Sequence, residues 1–284
     1  DGRRTKSSQR LEPGQELRIP PFLDTDVNEH HKPSKSYASD QHLIKELMEG
    51  VLYEDEDVIV LNKPAGVAVQ GGSGIKKHID GSLDAFRRGA KDRPRLVHRL
   101  DKDTAGVLVL ARSAKSAADL AKTFRRRAIE KLYWAVVVGQ PEVPDGSLEG
   151  AVKKALGVTG ERMELAPDNG KSAITDFKVI SSAGGRVSWL ELRPRTGRTH
   201  QLRVHCMAMG TPIVGDGKYG GRTAFLSDLP GAKSLHLFAK SIHLPRQSKK
   251  DIIVSAPLPR HIKSTFDYFG FEESEADQIV VPKI

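Results

Sequence analysis

The chain has 284 residues, enough to bury a core without disulfides, and its length allows one or two domains. Hydrophobic residues make up 38% and charged residues 29%, the balance of an ordinary globular protein, and no apolar run is long enough to span a bilayer. A single cysteine, Cys206, excludes an intramolecular disulfide and a thiolate metal cluster, while a net charge of +9 favours polyanionic partners over acidic ones.

Residues 1–9 are polar and basic. Leu11-Glu-Pro-Gly-Gln-Glu-Leu-Arg-Ile-Pro20 reads as a turn and a short strand, and residues 24–41, rich in Asp, Asn, His, Lys, Ser and Pro, read as a linker. Leu43, Leu47 and Val51 space as a short helix leading into the main domain, residues 42–284. Strands of the buried type are expected at 58–61 and 107–111. Ser113 is placed to cap a helix to about Ala128, with Ala117, Leu120, Ala121, Phe124 and Ala128 as its core stripe. Arg125, Arg126 and Arg127 then lie mostly off that stripe. Residues 131–139 read as a strand, and 173–180 and 187–192 alternate as strands do. Thr199 is placed to cap a helix through Met207, terminated at Gly210, and 235–244 with 252–255 suggest a late β-pair. Helices and strands mix without regular βα alternation, so the expected class is α+β on a mixed sheet.

The histidines are scattered. His200 and His205 stand five apart and offer no helical metal-ligand pair, so no metal site is expected. The arginines, by contrast, cluster at 125–127 and again at Arg193, Arg195, Arg198 and Arg203. Their planar forks suit phosphate oxygens, and each such contact releases counterions.

One segment carries the chemistry: Leu96-Val-His98-Arg99-Leu100-Asp101-Lys-Asp-Thr104-Ala105-Gly106, running straight into Val-Leu-Val-Leu-Ala111. It places a carboxylate in a tight turn beside a cation, just before an apolar strand, and a strand end holds a reacting group more rigidly than a free loop. Alone, it would be an ordinary turn with a surface ion pair. Four other segments keep it company: Asn62-Lys63-Pro64-Ala-Gly66, Lys131-Leu-Tyr133-Trp-Ala-Val-Val-Val-Gly139, Thr196-Gly197-Arg198-Thr199-His200-Gln201-Leu-Arg203-Val-His205, and Pro212-Ile-Val-Gly-Asp216-Gly-Lys-Tyr219-Gly220. These five, in this order across residues 50–260, resemble the motifs of the RluA-type RNA pseudouridine synthases. Residues 51–74 are most similar to the branch acting on large-subunit ribosomal RNA.

The resemblance implies a mainly antiparallel, bent sheet with flanking helices and a central RNA-binding cleft. It implies an isomerase that converts uridine to pseudouridine without metal or organic cofactor. Asp101 is then the catalytic carboxylate, Arg198 the cation paired with it, and Tyr133 the aromatic that stacks on the uracil. Trp134 points the other way along the strand, into packing. Arg99 would fill the gap left by a flipped base. His98 is placed to touch RNA or to pack, and Lys63 to contact a phosphate at the cleft edge. Arg125, Arg126 and Arg203 would bind RNA, whereas His200 and Gln201 organise the helix start. Gly106 and Gly197 suit close backbone approach. Two positions depart from the common pattern: Ala105 where Ser is frequent, and Phe238 where a second His often follows Leu235-His236-Leu237, which makes 238 a packing position. Residues 1–23 are similar to the end of an S4-like RNA-binding domain, as a remnant or a disordered arm. The expected partner is structured RNA, probed by a monomer in a bacterial cytoplasm or a mitochondrial matrix, with no membrane involved. The alternative function is an RNA-binding ribosome-assembly factor on the same fold. The motifs of an Asp-nucleophile hydrolase are not found.

Overall fold

In the computed structural model the chain divides into residues 1–38 and Ser39–Ile284. The structure describes residue 14 and residues 40–276, apart from 73–74, 76, 127, 158–159, 167, 230 and 247–248. The strand expected at 11–20, the linker up to residue 39 and Arg127 therefore lie outside the described residues.

Among the described residues eleven strands form one mixed sheet flanked by five α-helices. The entry helix α1 (Gln41–Glu49) starts where the Asp40 carboxylate accepts the Leu43 N–H, and it buries Leu43 and Leu47. Val51, expected to continue it, opens β1 (Val51–Glu54) instead, because Gly50 ends the helix. Next come β2 (Val58–Lys63), the short α2 (Ile79–Ser82), β3 (Arg95–Leu96) and β4 (Ala105–Ala111). Every residue of β4 is buried, as a central strand covered on both faces must be. Helix α3 (Ala114–Arg125) begins with the expected Ser113 cap, completed by Ser116, and buries Leu120. It stops three residues short of Ala128, which is exposed.

The second half holds β5 (Glu130–Val138), β6 (Asp145–Gly157), β7 (Gly160–Leu165), β8 (Lys171–Ala183) and β9 (Val187–Pro194). It continues with α4 (Gln201–Ala208), β10 (Leu237–Leu244), β11 (Ile252–Ser255) and α5 (Arg260–Phe269). The strand order is β1-β2-β4-β10-β5-β9-β8-β6-β7, with β11 on β10 and β3 on β4. All pairings are antiparallel except β4 with β10. Among the described residues no helix is long and apolar enough to cross a membrane.

Alternation sorts the side chains onto two faces. Val58 and Val60, Val107 and Val109, and Leu132, Trp134 and Val136 fill one core, in which Trp134 meets Trp189 edge-on at 4.8 Å beneath Phe266 of α5. Ile59, Leu61, Leu108 and Leu110 fill a second core on the other face. Ala135, Val137, Leu190 and Leu202 of α4 fill a third core. Tyr133 touches both the second and the third. Phe238 is fully buried, as a packing position should be.

The two halves of the sheet meet at only two residue pairs, Phe238 with Ala105 and Ala239 with Gly106. Gly106 has φ +108°, and a Cβ there would stand 2.2 Å from the Ala239 carbonyl oxygen. Both facts require glycine. Ala239 is in turn paired with Tyr133, so one row across the seam carries Gly106, Ala239 and Tyr133. Gly106→Ala should destabilise the fold by more than about 4 kcal/mol, because both flanking strands are central and cannot withdraw. Urea titration of the variant measures this, and a midpoint near that of the wild type would contradict the close approach.

Candidate active site

Asp101 lies in the loop that enters β4, with its side chain 18% exposed. It stands on the wall between two depressions, an open pocket of about 660 Å³ and another of about 570 Å³. Three scaffolding contacts hold the loop. The Thr104 N–H bonds the Asp101 carbonyl at 3.2 Å. The His98 ring stacks on Phe124 at 4.9 Å, and its Nε2 accepts the Val109 N–H at 2.8 Å. Burial, with Lys131 nearby, pushes the His98 pKa down to about 3, so the ring is neutral. His98 lines the larger pocket, but its bonding belongs to the scaffold rather than to an anion.

Lys63 provides the third contact, and here the phosphate contact expected from sequence is corrected. The side chain is fully buried, and its Nζ donates to the carbonyls of Pro64, Val67 and Lys102 at 2.8, 2.7 and 2.8 Å. Three acceptors match the three protons of an ammonium group and leave none for a ligand. Burial pushes its pKa down to about 7, against the pull of the Asp103 and Asp101 carboxylates. Lys63 thus ties the first motif to the residue after Asp101.

A second correction concerns the cation. The guanidinium facing Asp101 is that of Arg203, with Nη1 3.6 Å from Oδ2. Arg203 was expected at a phosphate and Arg198 at Asp101. Arg203 projects inward from the first turn of α4, is buried, and grips Asp216 with Nε at 2.8 Å and Nη2 at 2.7 Å. Burial opposes its charge, but the bonds and charges of Asp216 and Asp101 hold its pKa above the usual value. The Tyr219 ring covers it at 5.0 Å. Arg198 lines the larger pocket, yet its Nε donates to the Ser172 carbonyl at 3.0 Å. The physical reason is which side chain turns inward: Arg203 lies on the buried face of α4, held by Asp216, whereas Arg198 lies in the loop before the helix and is tied to the backbone of β8.

Gln201 organises that loop, as expected of it. Its buried side-chain carbonyl accepts the Arg198 N–H at 3.0 Å and the Thr196 hydroxyl at 2.7 Å, while its amide donates to Ile174 and Thr175. His200 precedes the helix with φ +53°, a conformation that a non-glycine residue holds only under constraint. Its Nε2 lies 3.8 Å from Asp101 Oδ1 and its Nδ1 is 2.7 Å from the Tyr219 hydroxyl.

Tyr133 lines the larger pocket on the face opposite Trp134. Burial, with the Asp101 charge added, raises its pKa well above the usual phenol range, so it stays protonated. Arg99 and Arg125 line the same pocket and are exposed, and Arg126 is exposed at the end of α3. Arg195 is neutralised by Asp176 at 2.6 Å and Arg193 by Glu191 at 2.7 Å. Lys131, two residues before Tyr133 on the same side of β5, also lines the pocket, and burial lowers its pKa. Among the described residues no cluster of three or more His, Cys, Asp or Glu side chains suits a metal. Sequence reasoning passed over Asp216, Tyr219 and Lys131 as site residues. The first two were visible only as the end of the fifth motif, and period-two spacing from Tyr133 pointed to the third.

The family model described as RNA pseudouridylate synthase matches residues 57–208. The chain is 35% identical to RNA pseudouridine synthase 4, mitochondrial, of Arabidopsis thaliana, covering 93% of this chain and 69% of that one. It is 34% identical to ribosomal large subunit pseudouridine synthase C of Rickettsia felis, covering 94% and 86%. Human RNA pseudouridylate synthase domain containing 4 superposes with a TM-score of 0.68 at 30% identity, covering 81% and 96%. The chain belongs to the RluA-type RNA pseudouridine synthase family. It is an isomerase acting on uridine in RNA.

Lys63→Met keeps the length of this synthase side chain and removes its three donors. Three carbonyls losing their shared donor should cost about 1–3 kcal/mol. Chemical denaturation with and without RNA separates the roles, since a phosphate contact would instead leave stability unchanged and weaken RNA binding.

Proposed function

We propose that the pocket isomerises a uridine of large-subunit ribosomal RNA, with Asp101 as the reacting carboxylate. The observation that carries the reading is the setting of Asp101: an acid on a rigid strand entry, 3.6 Å from the buried Arg203 and beside protonated Tyr133. The reaction breaks the bond from uracil N1 to the sugar C1′, turns the base and joins C5 to C1′, so a proton leaves C5 and one is gained at N1. Arg203 faces and orients Asp101, Tyr133 offers a ring against the uracil, and no redox equivalent is consumed. The uracil reaches this depth only outside its stack, and the exposed guanidinium of Arg99 at the pocket rim suits the vacated space.

The choice of ribosomal RNA rests on the names of the bacterial relatives and on the resemblance of residues 51–74. In this reading residues 42–284 are the catalytic domain, and the compartment is a bacterial cytoplasm or a mitochondrial matrix. Arg125 and Arg126 stand where flanking phosphates would pass. Changing both to Ala should weaken binding to all RNAs alike and flatten the plot of log affinity against log salt. An unchanged slope would return this helix end to simple solvation.

Asp101→Asn tests the central assignment. It keeps shape and removes the anion, so the fold and RNA affinity should persist while pseudouridine in a ribosomal RNA fragment falls to background. Activity retained in the variant would remove Asp101 from the chemistry. A wild type that binds but modifies no large-subunit fragment would point to a different RNA or to the assembly role.

A further inference from the structure

We propose that His200 is a positioning residue for Asp101, donating to the carboxylate from Nε2–H, with the proton kept on that nitrogen by Tyr219. The inference rests on the reading of Asp101 as the reacting group.

The tautomer follows from counting protons. The Tyr219 hydroxyl oxygen accepts the Met163 N–H of β7 at 3.1 Å. Its own proton needs an acceptor, and among the described residues the one in reach is His200 Nδ1 at 2.7 Å. Burial raises the Tyr219 pKa, so the phenol keeps that proton. A neutral imidazole with Nδ1 accepting carries its proton on Nε2. That nitrogen faces Asp101 Oδ1 at 3.8 Å, a gap that a small ring or carboxylate rotation closes.

The surroundings favour the neutral ring. Burial lowers the His200 pKa, Arg203 and Lys218 lower it further, and Asp101 and Asp216 oppose them. The pairing has a physical use. Arg203 holds one carboxylate oxygen of Asp101 with a full charge, shared with Asp216. His200 addresses the other oxygen with a neutral donor, fixing the carboxylate plane without adding a second full charge beside it. The left-handed backbone at 200 is the constraint that turns the ring toward Asp101 instead of along α4.

Two substitutions separate positioning from mere backbone support. Asn tolerates the left-handed conformation better than Gln, but its short amide stands in for Nδ1 and leaves no donor at the Nε2 position. Gln reaches that position. His200→Asn should slow single-turnover pseudouridine formation by roughly tenfold or more, the size of a lost hydrogen bond to a charged group, with RNA affinity unchanged. His200→Gln should recover most of the rate. A purely structural role predicts the reverse order, so an Asn variant as fast as the Gln variant overturns the proposal.

The second measurement is the ring nitrogen spectrum of the full chain labelled with ¹⁵N-histidine, with His200 assigned by its loss in the Asn variant. A neutral ring with the proton on Nε2 at pH 7.5 is expected. A proton on Nδ1, or an imidazolium, overturns the proposal. This spectrum needs no RNA. A chain that modified no uridine would therefore overturn the functional reading by itself, while the tautomer would still decide the fate of this inference.

Discussion

Two strands running in the same direction come into backbone contact at Gly106 and Ala239, and the site is built around that contact. A parallel pair normally belongs to a long crossover connection. Here it joins two otherwise antiparallel halves through two residue pairs alone. The loop entering β4 must therefore end at the seam, and it carries Asp101. The strand on the far side of β10 carries Tyr133 in register with Ala239. Acid and aromatic come from opposite halves of the sheet, and their relative placement is set by strand pairing. The cores on the site face stop on either side of Tyr133, and the open pocket occupies the interval.

The ionic architecture follows from burial. A buried guanidinium requires a carboxylate, and Asp216, 1% exposed, supplies it through two bonds. Arg203 needs nothing more for its own stability, so its third nitrogen can face Asp101 at 3.6 Å without a tight pair forming. Asp101 is oriented but not consumed. A direct two-bond pair between Arg203 and Asp101 would have occupied both carboxylate oxygens and left the acid less free to meet a substrate. Splitting the two tasks between Asp216 and Asp101 resolves this conflict.

Much of this was legible in the residues. Hydrophobic runs located β2, β4 and β5, the Ser113 cap located α3, and five ordered motifs located the pocket. Gly106 was read as a place of close approach and Phe238 as packing, and both hold. The strands β6 and β7 escaped notice because charged residues such as Lys153, Lys154, Arg162 and Glu164 blur their alternation. The exchange between Arg198 and Arg203 has a different cause. Both arginines belong to one motif five residues apart, and choosing between them depends on which one the fold turns inward. Buried Asp216, from a later motif, holds Arg203, while the Gln201 side chain holds the backbone of the loop that carries Arg198. Lys63 misled for a related reason. A lysine beside Pro and Gly suggests a surface turn, and only the fold shows three carbonyls converging on it.

Charge is sorted by depth in the same economical way. Within the protein, Lys63 and Arg203 are buried, held by protein partners, and serve geometry. At the rim, Arg99 and Arg125 are exposed and face an anion only when one arrives. Asp101 is the one carboxylate lining the larger pocket among the described residues. A polyanion is drawn to such a rim over roughly a Debye length, about 8 Å in physiological salt, whereas the deeper groups are screened little and keep their arrangement. Under the proposed function affinity and chemistry fall to different cations, and the basic excess of the chain can respond to salt without disturbing the acid it surrounds.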